Sequence, residues 1–168
     1  AFYRAIEETV YETLAQGLSG WDVTDALVTL TRVGMCPIST AGDFRKLTPL
    51  VLMQALRGAG TEVCEPVEEF DLEIPEDTFG AVSGALVNAR ATMRNAFREG
   101  ASYRLICEIP TAELRAVEQQ LPALTRGDGS WEARFAGYVP VAGDAPIRTR
   151  IGPQPLNRAH YLAEVARS

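Results

Sequence analysis

Residues 69–77 read Glu-Phe-Asp-Leu-Glu-Ile-Pro-Glu-Asp. Phe70, Leu72 and Ile74 alternate with Glu69, Asp71 and Glu73. That is the period-two pattern of a strand with one face buried and the other in water. Pro75-Glu76-Asp77 ends the alternation and opens a helix, because proline suits the first helical turn. Along that helix Phe79, Val82, Leu86 and Ala89 recur at three- and four-residue steps.

Outward from this junction the two periods keep exchanging. Residues 91–98 read as a strand, and Glu99-Gly100 as a turn. In 102–109, Tyr103, Leu105 and Cys107 alternate with Arg104, Ile106 and Glu108. Pro110-Thr111 starts a helix carrying Leu114, Val117, Gln120 and Leu121, with Thr111 as N-cap and Glu113 as a first-turn acid. Gly127-Asp128-Gly129 is a turn, and Trp131, Ala133, Phe135 and Gly137 alternate in a last strand. The order over 63–138 is therefore β-α-β-β-α-β, the split βαβ order of ferredoxin-like domains, and the class is α+β.

Before this block, Phe2, Ile6, Val10 and Leu14 form a helical stripe that stops at Gly17. Residues 22–33 read as a strand with Ala26, Val28 and Leu30 on one face. Gly34–Gly42 is a loop containing Pro37, and Asp43 is expected to cap a second helix bearing Phe44, Leu47, Leu50 and Val51. Pro49 is expected to kink that helix or sit near its start, and Gly58 and Gly60 to stop it. After the block, 140–155 is a connector rich in proline and glycine, and Leu156–Val165 a short helix capped near Asn157. The expected division is 1–62, 63–140 and 141–168. The joint at 58–63 is too short to let the first two parts move freely.

The 168 residues are 46% apolar and 23% charged, which excludes wholesale disorder. No run approaches the roughly 18 apolar residues of a membrane span, and no secretory signal pattern is present. The chain begins on Ala1, inside an amphipathic pattern, and is expected to be a piece of a longer one. The net charge of −6 speaks against a generic nucleic-acid-coating protein. It is uneven: −2 over 1–62, −6 over 63–140 and +2 over 141–168.

Catalytic chemistry finds few components. Cys36, Cys64 and Cys107 give no paired framework and read as free thiols. His160 is the single histidine, and neither a catalytic triad nor a multi-histidine metal centre is expected from it. No G-x-x-x-x-G-K-[ST], nucleophile elbow or HExxH occurs. The acids from Glu65 to Asp77 lack the spacing of a calcium loop and read as a solvated strand face. What stands out is the loop Gly34-Met35-Cys36-Pro37-Ile38-Ser39-Thr40, an apolar turn stiffened by Pro37. Such a tip either tucks beneath the loop or stacks on a base face. Arg148, Arg150 and Arg158 are candidates for phosphate contact, and Tyr161 beside His160 reads as helix packing or as part of a basic, aromatic contact.

These residues also carry a resemblance. Gly17-Leu18-Ser19-Gly20-Trp21-Asp22-Val23-Thr24-Asp25 resembles the G-L-Y-G-W-x-V-T-D stretch of tetracycline-resistance ribosomal protection proteins, relatives of elongation factor G. Cys36-Pro37-Ile38-Ser39-Thr40-Ala41-Gly42-Asp43-Phe44-Arg45 is similar to their S-P-V-S-T-P-A-D-F-R. Leu47–Leu52, Ala59–Glu62 and Glu65-Pro66 fit further family blocks, and the middle resembles the elongation factor G domain V.

The resemblance implies the end of a domain IV, a ferredoxin-like domain V and a C-terminal helix. It implies a parent that is a translational GTPase releasing tetracycline from the small-subunit decoding site. GTP and Mg would belong to the parent's G domain, so no cofactor and no enzymatic activity are expected in this piece. By matching position, Cys36, Pro37, Ile38, Ser39 and Thr40 would form the tip loop against ribosomal RNA. Asn157, Arg158, His160 and Tyr161 would form a second ribosome contact. Cys36 replaces a family serine and Met35 a tyrosine. The implied partner is the ribosome in the cytoplasm, with no membrane. The strand at 22–33, lacking its neighbours, is expected to pair with another copy or to rearrange. Elongation factor G itself or a related translation factor, or a ferredoxin-like protein- or ligand-binding module, remains an alternative.

Overall fold

The computed structural model describes residues 2–167. It divides into two compact units, Ala1–Val63 with Gly143–Ser168, and Cys64–Ala142.

The second unit is built on the stretch around Phe70, Leu72 and Ile74. Strand β1 (Cys64–Pro75) lies second from one edge of a four-stranded antiparallel sheet. The others are β2 (Thr92–Glu99), β3 (Ser102–Pro110) and β4 (Ser130–Pro140), in the order β2-β3-β1-β4. Phe70 stands opposite Cys107 on β3 and Ala133 on β4, and Leu72 opposite Leu105 and Trp131. The central strands carry the core because only they have neighbours on both sides. Phe70, Leu72, Ile74, Leu105, Cys107 and Ile109 are all buried. Pro66 lies near the start of β1, where β4 pairs with it through Tyr138 and β3 pairing begins only at Val67, the kind of strand-end position in which proline is tolerated.

A 3₁₀ turn (Glu76–Thr78) leads into α3 (Phe79–Asn88), and α4 (Thr111–Leu124) connects β3 to β4. Val82 and Leu86 of α3, and Val117 and Leu121 of α4, close the core against one sheet face. Each such side chain removed from water stabilises by roughly 1.5–3 kcal/mol. The βαββαβ order expected from the alternating periods is observed, and the α+β class with it. One detail differs: Pro110, not Thr111, occupies the N-cap of α4, and the Thr111 hydroxyl instead donates to Glu68.

The acidic face of β1 is laced with arginines from neighbouring strands. Arg104 donates to Asp71 through two nitrogens, at 3.0 and 2.6 Å, and Arg134 pairs with Glu69. Arg94 pairs with Glu108, Arg98 with Glu76, Arg126 with Asp77 and Arg90 with Glu65. Among the described residues, Arg115 is the one arginine of this unit without an acidic partner.

The first unit packs α1 (Phe2–Leu14) on α2 (Ala41–Ala59), with α5 (Arg158–Val165) also against α2. Leu52, Met53 and Leu56 form its core with Val10, Leu14, Leu18, Val23 and Leu156. Gly60 ends α2 at φ +81, a conformation that favours glycine. Pro49 lies inside α2, where its missing N–H coincides with a Thr48 hydroxyl that donates back to the Phe44 carbonyl at 2.7 Å.

The expected strand at 22–33 is not formed. Residues 24–35 carry no regular secondary structure and make no backbone hydrogen bond among the described residues. Alternation permits a strand, but a ladder needs a second strand, and the described residues of this unit supply none.

Candidate functional site

The candidate tip lies at the start of α2. Ser39 N–H donates to the Cys36 carbonyl at 2.9 Å, which closes a turn over Pro37 and Ile38. Cys36 N–H donates to the Ser39 hydroxyl oxygen at 3.0 Å, and the two side chains meet, Sγ to Oγ, at 3.2 Å. The turn is thus bridged twice by one serine. Its apex faces solvent: Ile38 is 85% exposed. The side chain does not tuck beneath the loop.

The next residue starts the helix. Thr40 is the N-cap, and its hydroxyl oxygen accepts from the Asp43 N–H at 3.3 Å. The Asp43 carboxylate in turn accepts from the Thr40 N–H at 2.8 Å and the Thr40 hydroxyl at 2.9 Å. This is a capping box. The sequence alone places Asp43 as the cap itself. The cap is three residues earlier because a threonine oxygen there reaches the free amide of the first turn, while Asp43 answers from inside it.

Both groups are shifted toward their charged forms. The Thr40 amide and hydroxyl hold the Asp43 carboxyl below its ordinary value. The Ser39 hydroxyl and then the Ile38 amide hold the Cys36 thiol below the usual thiol range. Cys107, on β3 with its side chain in the core, is pushed the other way, to about 11, by desolvation.

The second candidate group lies in the same unit but divides. Asn157 is the N-cap of α5, its side-chain oxygen accepting from the His160 N–H at 3.3 Å. Tyr161 is buried, and burial raises its phenol above the usual value. Arg158 and His160 face solvent, with His160 Nδ1 3.6 Å from Glu164. Gly152, Pro153, Gln154, His160, Glu164 and Arg167 line a shallow depression.

The tail is tied to the turn after α1, a relation that local sequence did not announce. Arg148 N–H donates to the Ser19 carbonyl at 2.9 Å, and Trp21 Nε1 donates to the Pro146 carbonyl at 2.8 Å. The Arg148 guanidinium sits 5.6 Å from the Trp21 ring centre, a cation–π distance. Gln16 bridges both polar atoms of Ile151, and Arg150 donates to the Gln16 and Pro153 carbonyls. Arg148 and Arg150 therefore fasten the connector. Burial lowers the Arg150 guanidinium from its ordinary value. Among the described residues no group of three or more histidines, cysteines and acids converges as a metal site.

Against known proteins, the family model described as elongation factor G C-terminus matches residues 62–148. The chain belongs to that family. The elongation factor G C-terminus match covers the whole four-stranded unit. Beyond it, the chain is 48% identical over 168 residues to the oxytetracycline resistance protein of Streptomyces rimosus, covering 98% of this chain and 25% of that protein. It is 42% identical to the tetracycline resistance protein TetM of Streptomyces lividans, over 90% of this chain and 24% of that one. It is 36% identical to TetP of Clostridium perfringens, over 96% and 25%. The chain thus spans about a quarter of the length of these relatives. A crystal structure of a Thermus thermophilus protein shares the fold at a TM-score of 0.66 and 23% identity, covering 99% of this chain and 24% of that one. Among the described residues, no helix is long and apolar enough to cross a membrane.

Proposed function

We propose that this chain is the ribosome-engaging C-terminal portion of a tetracycline-resistance ribosomal protection protein acting in the cytoplasm. The carrying observation is its similarity to an oxytetracycline resistance protein along nearly its whole length. In this reading the Pro37-Ile38 apex meets ribosomal RNA close to bound tetracycline, and Cys36, Ser39 and Thr40 form the rest of that tip. Arg158 and His160 of α5 make a second contact, with Asn157 and Tyr161 shaping the helix that presents them. GTP hydrolysis, with its Mg, is assigned to another part of the longer protein, and no catalytic step to these residues. An apolar apex gives stacking and shape contacts, which do not depend on a large positive charge. The net charge of −6 then makes the chain alone a weak ribosome binder.

The test is a chimera in which the aligned quarter of the Streptomyces rimosus protein is replaced by this chain. In a tetracycline-sensitive host it is expected to raise the inhibitory drug concentration. Replacing Pro37 and Ile38 together by glycine is expected to remove most of that gain. Unchanged tolerance in the glycine variant overturns the tip reading. A chimera that supports translation but gives no tolerance favours an elongation factor role.

We also propose that the chain alone self-associates through 22–33, whose Leu27 is 94% exposed and whose backbone from 24 onward makes no hydrogen bond among the described residues. Light scattering across a concentration series should show a rising mean mass, lowered by Leu27→Lys. A constant monomer mass ends this proposal.

A further inference from the structure

We infer that Ser39 and Asp43 are positioning residues, which fix the Pro37-Ile38 apex without themselves meeting the partner. The inference rests on the tip reading above and divides the matched tip residues by role. Ser39 uses its amide on the Cys36 carbonyl and its hydroxyl on the Cys36 amide and thiol. Its polar atoms are directed back into the turn. Asp43 uses one carboxylate oxygen on both the amide and the hydroxyl of Thr40. Residues 39 and 40 are adjacent, so the two closures act in series. Asp43 anchors Thr40 to the first turn of α2, and Ser39 anchors Cys36 to that fixed point. Only Pro37 and Ile38 project between them.

Chemistry excludes the opposite assignment for Asp43. An ionised carboxylate beside a nucleic-acid backbone repels phosphate, so a direct contact there weakens binding. At a helix N-terminus the same charge is stabilised by the free amides of the first turn. The preceding residues supply the need for an anchor. Residues 24–35 make no backbone hydrogen bond among the described residues, so the loop is held from its C-terminal side. An apex that must present a flat apolar contact gains affinity when it is ordered before binding, because the ordering entropy is then already met.

The test uses two readouts on Asp43→Ala, Asp43→Glu and Ser39→Ala. Amide hydrogen exchange on the chain reports the order of the turn, and drug tolerance of the chimera reports function. Asp43→Ala is expected to speed exchange at Cys36, Ser39 and Thr40 about fivefold, the scale of a lost cap, and to lower tolerance. Asp43→Glu keeps a carboxylate able to close the box and is expected to restore both readouts. Ser39→Ala leaves the cap intact and is expected to speed exchange at Cys36 and lower tolerance. It carries the same test if Asp43→Ala does not fold. Faster exchange with parental tolerance overturns the inference, while the glycine variant of Pro37 and Ile38 still decides the tip reading separately. Lost tolerance in Asp43→Glu with parental exchange also overturns it, since the carboxylate would then act on the partner directly.

Discussion

Gly20 lies so close to the Arg148 carbonyl that a Cβ on it would stand 2.8 Å from the carbonyl carbon and overlap the oxygen. The residue also has φ +78, which other L-residues adopt at a cost of roughly 1–2 kcal/mol. The glycine in Gly17-Leu18-Ser19-Gly20-Trp21 is thus required by a segment more than a hundred residues away.

Gly20→Ala is accordingly expected to cost more than the conformational term, because the overlapping atom is backbone and cannot rotate aside. The predicted result is a loss of about 2 kcal/mol or more in a denaturant titration. Exchange of the Arg148 amide, now bonded to Ser19, should quicken at the same time. Parental exchange at Arg148 would show that the connector is held by other contacts.

The sheet core gives a second prediction. Phe70 is fully buried between the central strands and their helices. Phe70→Ala is expected to lower stability by about 3–5 kcal/mol, the transfer loss plus the cavity left behind. Phe97 on β2 is 48% exposed, and Phe97→Ala should cost less than about 1 kcal/mol. Equal costs at the two sites would contradict the layering of helices on one sheet face.

Acid stability follows from Asp71. The Arg104 side-chain bonds hold its carboxyl below the ordinary value of 3.8. A folded pKa below the unfolded one contributes stability that is present above the unfolded value and is lost as pH falls through the folded value. Arg104→Gln should therefore destabilise at about pH 7 and progressively less below about pH 4, measured by melts at a series of pH values. A penalty independent of pH would locate the effect in packing of the arginine stem.

Thiol reactivity separates the three cysteines. Cys36 and Cys64 are exposed and Cys107 is buried. Native alkylation is expected to label two thiols, and the third only in denaturant. The Ser39 hydroxyl favours the Cys36 thiolate, so Ser39→Ala should slow labelling of Cys36 at neutral pH. Labelling of Cys107 in the native state would mean that the sheet opens.

Much of the fold was legible because side-chain period is a local property. Phe70, Leu72 and Ile74 alternate with acids wherever the chain is placed, and proline and glycine break the pattern at Pro75 and Gly100 by their own stereochemistry. The same alternation over 22–33 points to a strand that is absent, because strands are stabilised by partners and the described residues of that unit hold no second strand. Local sequence does not separate Thr40 from Asp43 as the cap of α2 for a related reason: either residue type can cap, and the reciprocal bonds between them decide. The tie between Gly20 and Arg148, and the use of Arg150 on Gln16, lay beyond any local pattern. Propensity acts over a few residues, whereas backbone overlap and hydrogen bonds between distant segments exist only once the chain has brought them together.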